Sequence, residues 1–60
     1  GLDARTARIL DATPRKSHAD VEAIARASGV ALSEVAAVMG NREMDGRVIQ
    51  KAGKWKKTGV

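Results

Sequence analysis

Residues 20–29 read Asp-Val-Glu-Ala-Ile-Ala-Arg-Ala-Ser-Gly and contain the signals of a complete short helix. Asp20 can accept a hydrogen bond from a backbone N–H of the first turn, so it is the expected N-cap. Gly29 stands where helices commonly end in a left-handed residue. The stretch therefore predicts a helix over residues 21–28. Positions on its buried face recur every three or four residues: Val21, Ile24, Ala25 and Ser28.

A longer helix is predicted directly after this one. Val30-Ala31-Leu32 forms the expected turn, Ser33 the expected N-cap, and residues 34–45 the helix, with Gly46 as a second glycine end. Glu34 would lie near the positive end of the helix dipole. The residues expected to face or fill the core are Leu32, Val35, Val38, Met39 and Met44. Two helices joined by about four residues that include a glycine form a helix-turn-helix.

A first helix is predicted upstream, over residues 4–12. Asp3 is its expected cap, and Pro14 stops it because the residue before a proline avoids helical backbone angles. Its apolar stripe consists of Leu2, Thr6, Ile9 and Leu10. Residues 15–19 are expected to connect the two helices and to hold a short strand around Ser17 and His18.

The end of the chain predicts a β-hairpin. Residues 48–51 and 54–57 alternate apolar and cationic side chains around Ala52-Gly53, which is the pattern of two short strands and a turn. Trp55, the only aromatic residue, is expected to point at the helices and close the core rather than to stack on a base. The predicted fold is mainly α with a small β-hairpin: a winged helix-turn-helix of three helices and a two-stranded basic wing, forming one domain over residues 1–60.

Charge is distributed unevenly along the chain. Residues up to Asp45 hold six Arg/Lys and seven Asp/Glu, whereas the residues after it hold five cations and no acid, so the net charge of +4 comes from the last fifteen residues. We predict that these five cations contact phosphate: Arg47, Lys51, Lys54, Lys56 and Lys57. The alternative is that they only protect a sheet edge from pairing with another strand.

Several classes of function lack their residues in this sequence. There is no cysteine, so neither a disulfide nor a thiolate zinc site is possible, as in proteins of a reducing cytoplasm. His18 is the single histidine. No apolar run approaches the roughly 20 residues of a membrane span. We therefore expect a cytoplasmic domain with no metal, cofactor, small-molecule substrate or catalytic activity.

A family resemblance rests on five motifs of the sequence. They are Ile-Leu-Asp-Ala at 9–12, Val-Glu-Ala-Ile-Ala-Arg-Ala-Ser-Gly at 21–29, Ser-Glu-Val-Ala-Ala at 33–37, Glu-Met-Asp-Gly-Arg-Val at 43–48 and Gly-Lys-Trp at 53–55. In these the chain resembles the C-terminal winged-helix domain of the bacterial DNA-processing protein DprA, also called Smf. The resemblance implies a domain excised from the C-terminal end of a larger protein that acts in DNA uptake, natural transformation and recombination. In that family the body binds single-stranded DNA and loads the RecA recombinase, and the small domain is accessory.

One position departs from that family, which usually has an apolar residue where this chain has Arg42. Either Arg42 lies along the edge of the core with its head in solvent, or the helix changes register near Gly40-Asn41. The structure distinguishes these two interpretations.

The outward face of the third helix leaves several partners open. Ser33 and Asn41 are its candidate nucleic-acid contacts, and Asn41 is the only good base reader. Ala36, Ala37 and Gly40 form a shallow surface that could instead receive a protein: a second copy, the rest of its own chain, or RecA. We expect a DNA-binding accessory domain that contacts the backbone of single- or double-stranded DNA. The alternatives are a protein-interaction module and a sequence-specific transcriptional repressor domain.

Overall fold

Three helices and three short strands make up the protein in a computed structural model, which describes residues 3–59. In chain order the elements are α1 (Ala4–Ala12), β1 (Ala19–Asp20), α2 (Val21–Ser28), α3 (Leu32–Met44), β2 (Val48–Lys51) and β3 (Lys54–Lys57). The predicted winged helix-turn-helix is thereby confirmed.

The bounds of α1 follow from the residues at its two ends. The Asp3 carboxylate accepts a hydrogen bond from the Thr6 backbone N–H at 2.7 Å, and this bond holds the pKa of Asp3 below its ordinary value. The helix ends at Thr13, whose backbone is extended as the following Pro14 requires. The buried Thr13 hydroxyl donates to the Ile9 carbonyl oxygen at 2.8 Å. The predicted helix and cap are confirmed, whereas Leu2 of the predicted stripe lies outside the described residues.

Helix α2 and its connection to α3 form the predicted helix-turn-helix. Asp20 accepts from the Ala23 backbone N–H at 2.8 Å, and Gly29 ends the helix with a φ of +72°. Three residues, 29–31, join the helices, which cross at 110°. Both the angle and the short glycine-containing turn are typical of this motif.

The start of α3 differs from the prediction. The helix begins at Leu32 with Ala31 as its N-cap, so Ser33 is not the cap and lies inside the first turn. The Ala31 carbonyl oxygen accepts from the N–H groups of both Glu34 and Val35 at 3.0 Å, which closes the first turn two residues earlier than expected. Leu32 is consequently 46% exposed rather than in the core.

The end of α3 is set by a glycine, as predicted. Gly46 has a φ of +76°, and its N–H donates to the Glu43 carbonyl oxygen at 3.0 Å. The Arg47 N–H donates to the Arg42 carbonyl oxygen at 2.9 Å. These two bonds are the Schellman pattern. The helix ends at Met44, and that residue is 87% exposed, so its assignment to the core was wrong.

The strands form a sheet in the order β1-β3-β2, with both pairs antiparallel. The hairpin lies where the sequence predicts it. The extra strand lies at Ala19–Asp20 instead of Ser17 and His18, because Ala19 pairs with Trp55 and Asp20 with Lys54. Strand β3 is therefore the central strand of the sheet.

The core lies between the three helices and the inner face of the sheet. Its buried members are Ile9, Ile24, Val30, Val35, Met39, Val48 and Trp55. Trp55 is only 7% exposed, which confirms its predicted role in closing the core. Among residues 3–59, no single helix is long and apolar enough to cross a membrane, and only α2 and α3 taken together, as a bent pair, reach that length and composition.

Arg42 lies along the edge of the core within a continuous helix. Its side chain is 25% exposed, and its Nη2 reaches the Asp45 carboxylate at 3.0 Å. The interpretation that places Arg42 along the core edge is thus confirmed, since α3 keeps its register through Gly40 and Asn41. The head of Arg42 is not simply in solvent, because Nη2 is paired with Asp45 and Nε is buried with no hydrogen-bond partner among the described residues.

Candidate nucleic-acid interface

The hairpin presents three lysines on one face. Successive residues of a strand point to opposite faces, and residues paired across antiparallel strands share a face. Ile49 pairs with Lys56 and Lys51 pairs with Lys54, so these four side chains lie opposite the buried Trp55. We call this surface the outer wing face; it consists of Ile49, Lys51, Lys54 and Lys56.

Within residues 3–59, no cation of the outer wing face forms an ion pair. Within the described part of the chain, the two ion pairs are Arg5–Glu34 and Arg42–Asp45, and neither includes a cation from residues 46–57. Lys51 and Lys54 are paired directly across the hairpin, an arrangement that destabilises a sheet when like charges have no partner. Asp20 is paired in register with Lys54 and keeps its negative charge while it caps α2, but it forms no ion pair with Lys54 in the described structure. A bound polyanion would relieve this repulsion.

The position of β3 weakens the edge-protection alternative. Three of the four wing lysines, Lys54, Lys56 and Lys57, lie on β3, which is the central strand. Only Lys51 lies on the edge strand β2. Protection of an unpaired edge needs charges on edge strands, so it accounts for Lys51 but not for Lys54, which is paired on both sides. Lys56 and Lys57 lie beyond the two residues that β1 pairs, and the Lys57 N–H is bonded to Pro14 instead.

The remaining two cations of the tail lie elsewhere, at the base of the wing. Arg47 and Lys57 line a cavity of about 270 Å³ together with Arg15, which comes from the connection after α1. We call this cavity the basal cleft; its lining residues are Ala7, Leu10, Asp11, Arg15, Arg47, Lys57 and Gly59. Sequence reasoning missed Arg15, since it is 32 residues away from Arg47 in the chain and lies within the first 45 residues, whose net charge is −1.

The outward face of α3 has a different character. Its uncharged residues are all exposed, and Leu32 and Met44 add exposed apolar side chains near the two ends of the helix: Ser33, Ala36, Ala37, Gly40 and Asn41. Glu34 also belongs to this face and is partly exposed, but its charge is paired, because Arg5 Nη1 donates to the Glu34 carboxylate at 2.7 Å. Ser33 and Asn41 are accessible, but they lie on a surface with no cation of its own.

His18 is exposed in the connection between α1 and β1. No group of three His, Asp or Glu residues within residues 3–59 is arranged to hold a metal ion.

Comparison with known proteins gives one result. A family model described as the DprA winged helix domain matches residues 1–54, which is most of the chain. No curated protein and no solved structure matched. The matched residues include all three helices, β1, β2 and the first residue of β3.

Proposed function

The chain belongs to the DprA winged helix domain family, and from that membership we propose that it is an accessory DNA-binding domain whose wing contacts the phosphate backbone. The observation that carries this proposal is the outer wing face, where Lys51, Lys54 and Lys56 stand together with no acidic partner within ion-pair distance in the described structure. Cations arranged in this way gain free energy by displacing counterions from a nucleic acid.

Backbone contact is favoured over base readout. A lysine acts on phosphate as a compact point charge and carries no sequence information when it does so. The surface that would read bases is α3, and of its exposed residues only Asn41 has an amide able to pair with adenine in the major groove. The proposed binding is therefore electrostatic and tolerant of sequence, with single- and double-stranded DNA both as ligands.

We propose that this domain serves DNA processing, uptake and recombination in the cytoplasm and has no catalytic role of its own. The support is the family together with the charge of the wing. An accessory domain of this kind would raise the local concentration of DNA near the rest of the protein, because DNA held at one tethered site is at a high effective concentration for the other.

The test is a double substitution of the wing lysines. Lys51→Ala with Lys54→Ala should weaken binding to every sequence alike, since both residues are proposed to bind phosphate. The slope of log K against log salt should become less steep by roughly 0.9 for each phosphate no longer neutralised on duplex and by roughly 0.7 on single strands. Fluorescence anisotropy at several salt concentrations measures both quantities.

The matched control removes two other exposed cations, Arg8 and Arg26, which lie on α1 and α2. Arg8→Ala with Arg26→Ala gives the same change in net charge but should leave the salt slope almost unchanged. Equal affinity of the Lys51→Ala, Lys54→Ala protein and the unaltered protein would end the proposal.

A second candidate function is protein docking on α3, and it is favoured by the uncharged outward face of that helix. Small residues such as Ala37 and Gly40 let another backbone approach closely, and the exposed Leu32 and Met44 could add apolar contact. A second copy of the chain is the simplest partner to test. Sedimentation over a range of protein concentrations should then show a dimer that Ala37→Arg abolishes.

A further inference from the structure

We infer that the basal cleft binds a phosphate group with two negative charges, namely the terminal phosphomonoester of a nucleic-acid strand. This inference rests on the proposed function, because it names the part of the nucleic acid that a second surface of the same domain recognises. The outer wing face would hold internal phosphates, whereas the cleft would hold an end.

Hydrogen bonds join three segments that are distant in the sequence, and these segments form the cleft. The Lys57 N–H donates to the Pro14 carbonyl oxygen at 2.7 Å, which joins the end of β3 to the residue before Arg15. The Thr58 N–H donates to the Arg47 carbonyl oxygen at 3.1 Å, and the Thr58 hydroxyl donates to the Gly46 carbonyl oxygen at 2.9 Å. Each segment supplies one cation, so the backbone bonds place Arg15, Arg47 and Lys57 around one cavity before any ligand arrives.

The charge of the cleft matches a monoester better than a diester. Its three cations face one carboxylate, that of Asp11, which leaves a side-chain charge of +2. An internal phosphodiester carries one negative charge, whereas a terminal phosphate carries about 1.5 to 2 at pH 7. The guanidinium groups of Arg15 and Arg47 can each donate two parallel hydrogen bonds to phosphate oxygens.

Charge balance within the protein does not account for all three cations. The end of α1 that borders the cleft contributes about half a negative charge, and Asp11 adds one more. Two cations would neutralise this sum, so the third is in excess. Within residues 3–59, moreover, Asp11 forms no ion pair with any of the three. A structural role would be expected to pair them.

The size of the cleft limits what can enter. Its volume of about 270 Å³ lies below the range of about 300–1,000 Å³ that is usual for sites holding whole small molecules. A phosphate with part of its sugar fits this space, and the rest of the strand would extend out of the cleft, which is partly open to solvent. Leu10 and Ala7 form an apolar wall against which the sugar can rest.

The experiment compares short oligonucleotides of one sequence that end in a 5′-phosphate, a 3′-phosphate or hydroxyl groups only. One of the two phosphorylated oligonucleotides should bind about tenfold more tightly than the oligonucleotide with hydroxyl ends only. This is the gain expected from charge-assisted hydrogen bonds to the added phosphate. Arg15→Gln should abolish this preference. Asp11→Asn should increase the preference for the phosphorylated end. Damage to the fold would reduce binding in both variants, so opposite changes in this preference indicate a direct effect on the ligand.

The matched control is Lys51→Gln, which removes one cation from the outer wing face. It should weaken all three oligonucleotides equally and keep the preference for the phosphorylated end. If Lys51→Gln has no effect on the hydroxyl form, the proposed backbone contact fails while the preference for an end can still be measured. The two ideas are therefore distinguishable.

Inorganic phosphate tests whether a free anion is the true ligand. Titration followed by NMR should shift the amide resonances of Arg15, Arg47 and Thr58 only weakly at concentrations where the phosphorylated oligonucleotide saturates the site. Equal affinity for phosphorylated and hydroxyl ends, or a preference that survives Arg15→Gln, would overturn the inference. A response to inorganic phosphate as strong as that to the oligonucleotide end would overturn it as well.

Discussion

The outer wing face and the outward face of α3 are two candidate partner surfaces, and they differ in charge and in side-chain size. The outer wing face carries three lysines that form no ion pair in the described structure, whereas the outward face of α3 exposes mainly small uncharged residues and one amide. Charge supplies affinity for any sequence, and base-reading side chains supply selectivity. The lysines are concentrated on the wing, and base-reading side chains are nearly missing from α3, which favours the proposal of a domain that holds DNA over one that reads its sequence.

The two surfaces also depend on the core in different ways. Helix α3 is anchored by several buried residues of its own, among them Val35 and Met39. The hairpin is anchored chiefly by Val48 and by Trp55, which also lies across from Ala19 of β1. Loss of Trp55 should consequently damage the wing more than any other single change.

The largest change in the free energy of unfolding is expected for Trp55→Ala. Removal of so large a buried side chain should lower the free energy of unfolding by about 3–5 kcal/mol, which is enough to unfold a domain of this size. Circular dichroism during thermal unfolding measures it. A variant that keeps its stability but no longer binds DNA would show instead that Trp55 stacks on bases.

A smaller change in the free energy of unfolding is expected for a substitution at the tip of the wing. Ala52 has a φ of +55° and Gly53 one of +78°, a two-residue turn that strongly favours Asn-Gly. Ala52→Asn should raise the free energy of unfolding by about 0.5–1 kcal/mol, because asparagine tolerates this left-handed backbone better than alanine does.

The matched control for the tip is Gly53→Ala, which should lower the free energy of unfolding. Apart from Gly53 and its two chain neighbours, no heavy atom of the described residues lies within 4 Å of the position that a new Cβ would occupy, so its effect would come from the backbone conformation alone. Thermal unfolding of both variants decides the matter. A loss of stability in Ala52→Asn would show that the turn does not have the left-handed geometry described.

The smallest effect on DNA binding is expected for Ala37→Arg. Arginine is nearly as good a helix former as alanine, and we propose that α3 does not enter a groove. The affinity for DNA should therefore stay the same or increase slightly, as it should for the control Ala27→Arg, which adds the same charge to an exposed position of α2. A loss of binding in Ala37→Arg alone would place α3 in a groove and favour a repressor-like role.

Local chemistry explains which parts of the fold were predictable from the sequence. Asp3, Asp20, Gly29 and Gly46 act on backbone groups within a few residues, so the bounds of α1 and α2 and the end of α3 could be predicted closely. The start of α3 could not, because Ala31 caps it through its carbonyl alone and Ser33 carries the stronger side-chain signal.

Interactions between distant residues explain the rest. Strand β1 exists because Ala19 and Asp20 meet β3, more than thirty residues later in the chain. Arg5 meets Glu34 across 29 positions, and the basal cleft gathers cations from three segments. The lysines of the wing were predictable from charge alone, whereas their division between the outer wing face and the cleft depends on strand register and on the Pro14–Lys57 bond.

The most direct test of DNA binding through the wing is NMR shift mapping with a short duplex and a short single strand of the same sequence. We predict that the largest amide shifts fall within residues 47–57, and that the α3 amides of residues 33–41 hardly move with either ligand. Shifts concentrated at Ser33, Ala37 and Asn41, with the wing unmoved, would contradict the proposed mode of binding.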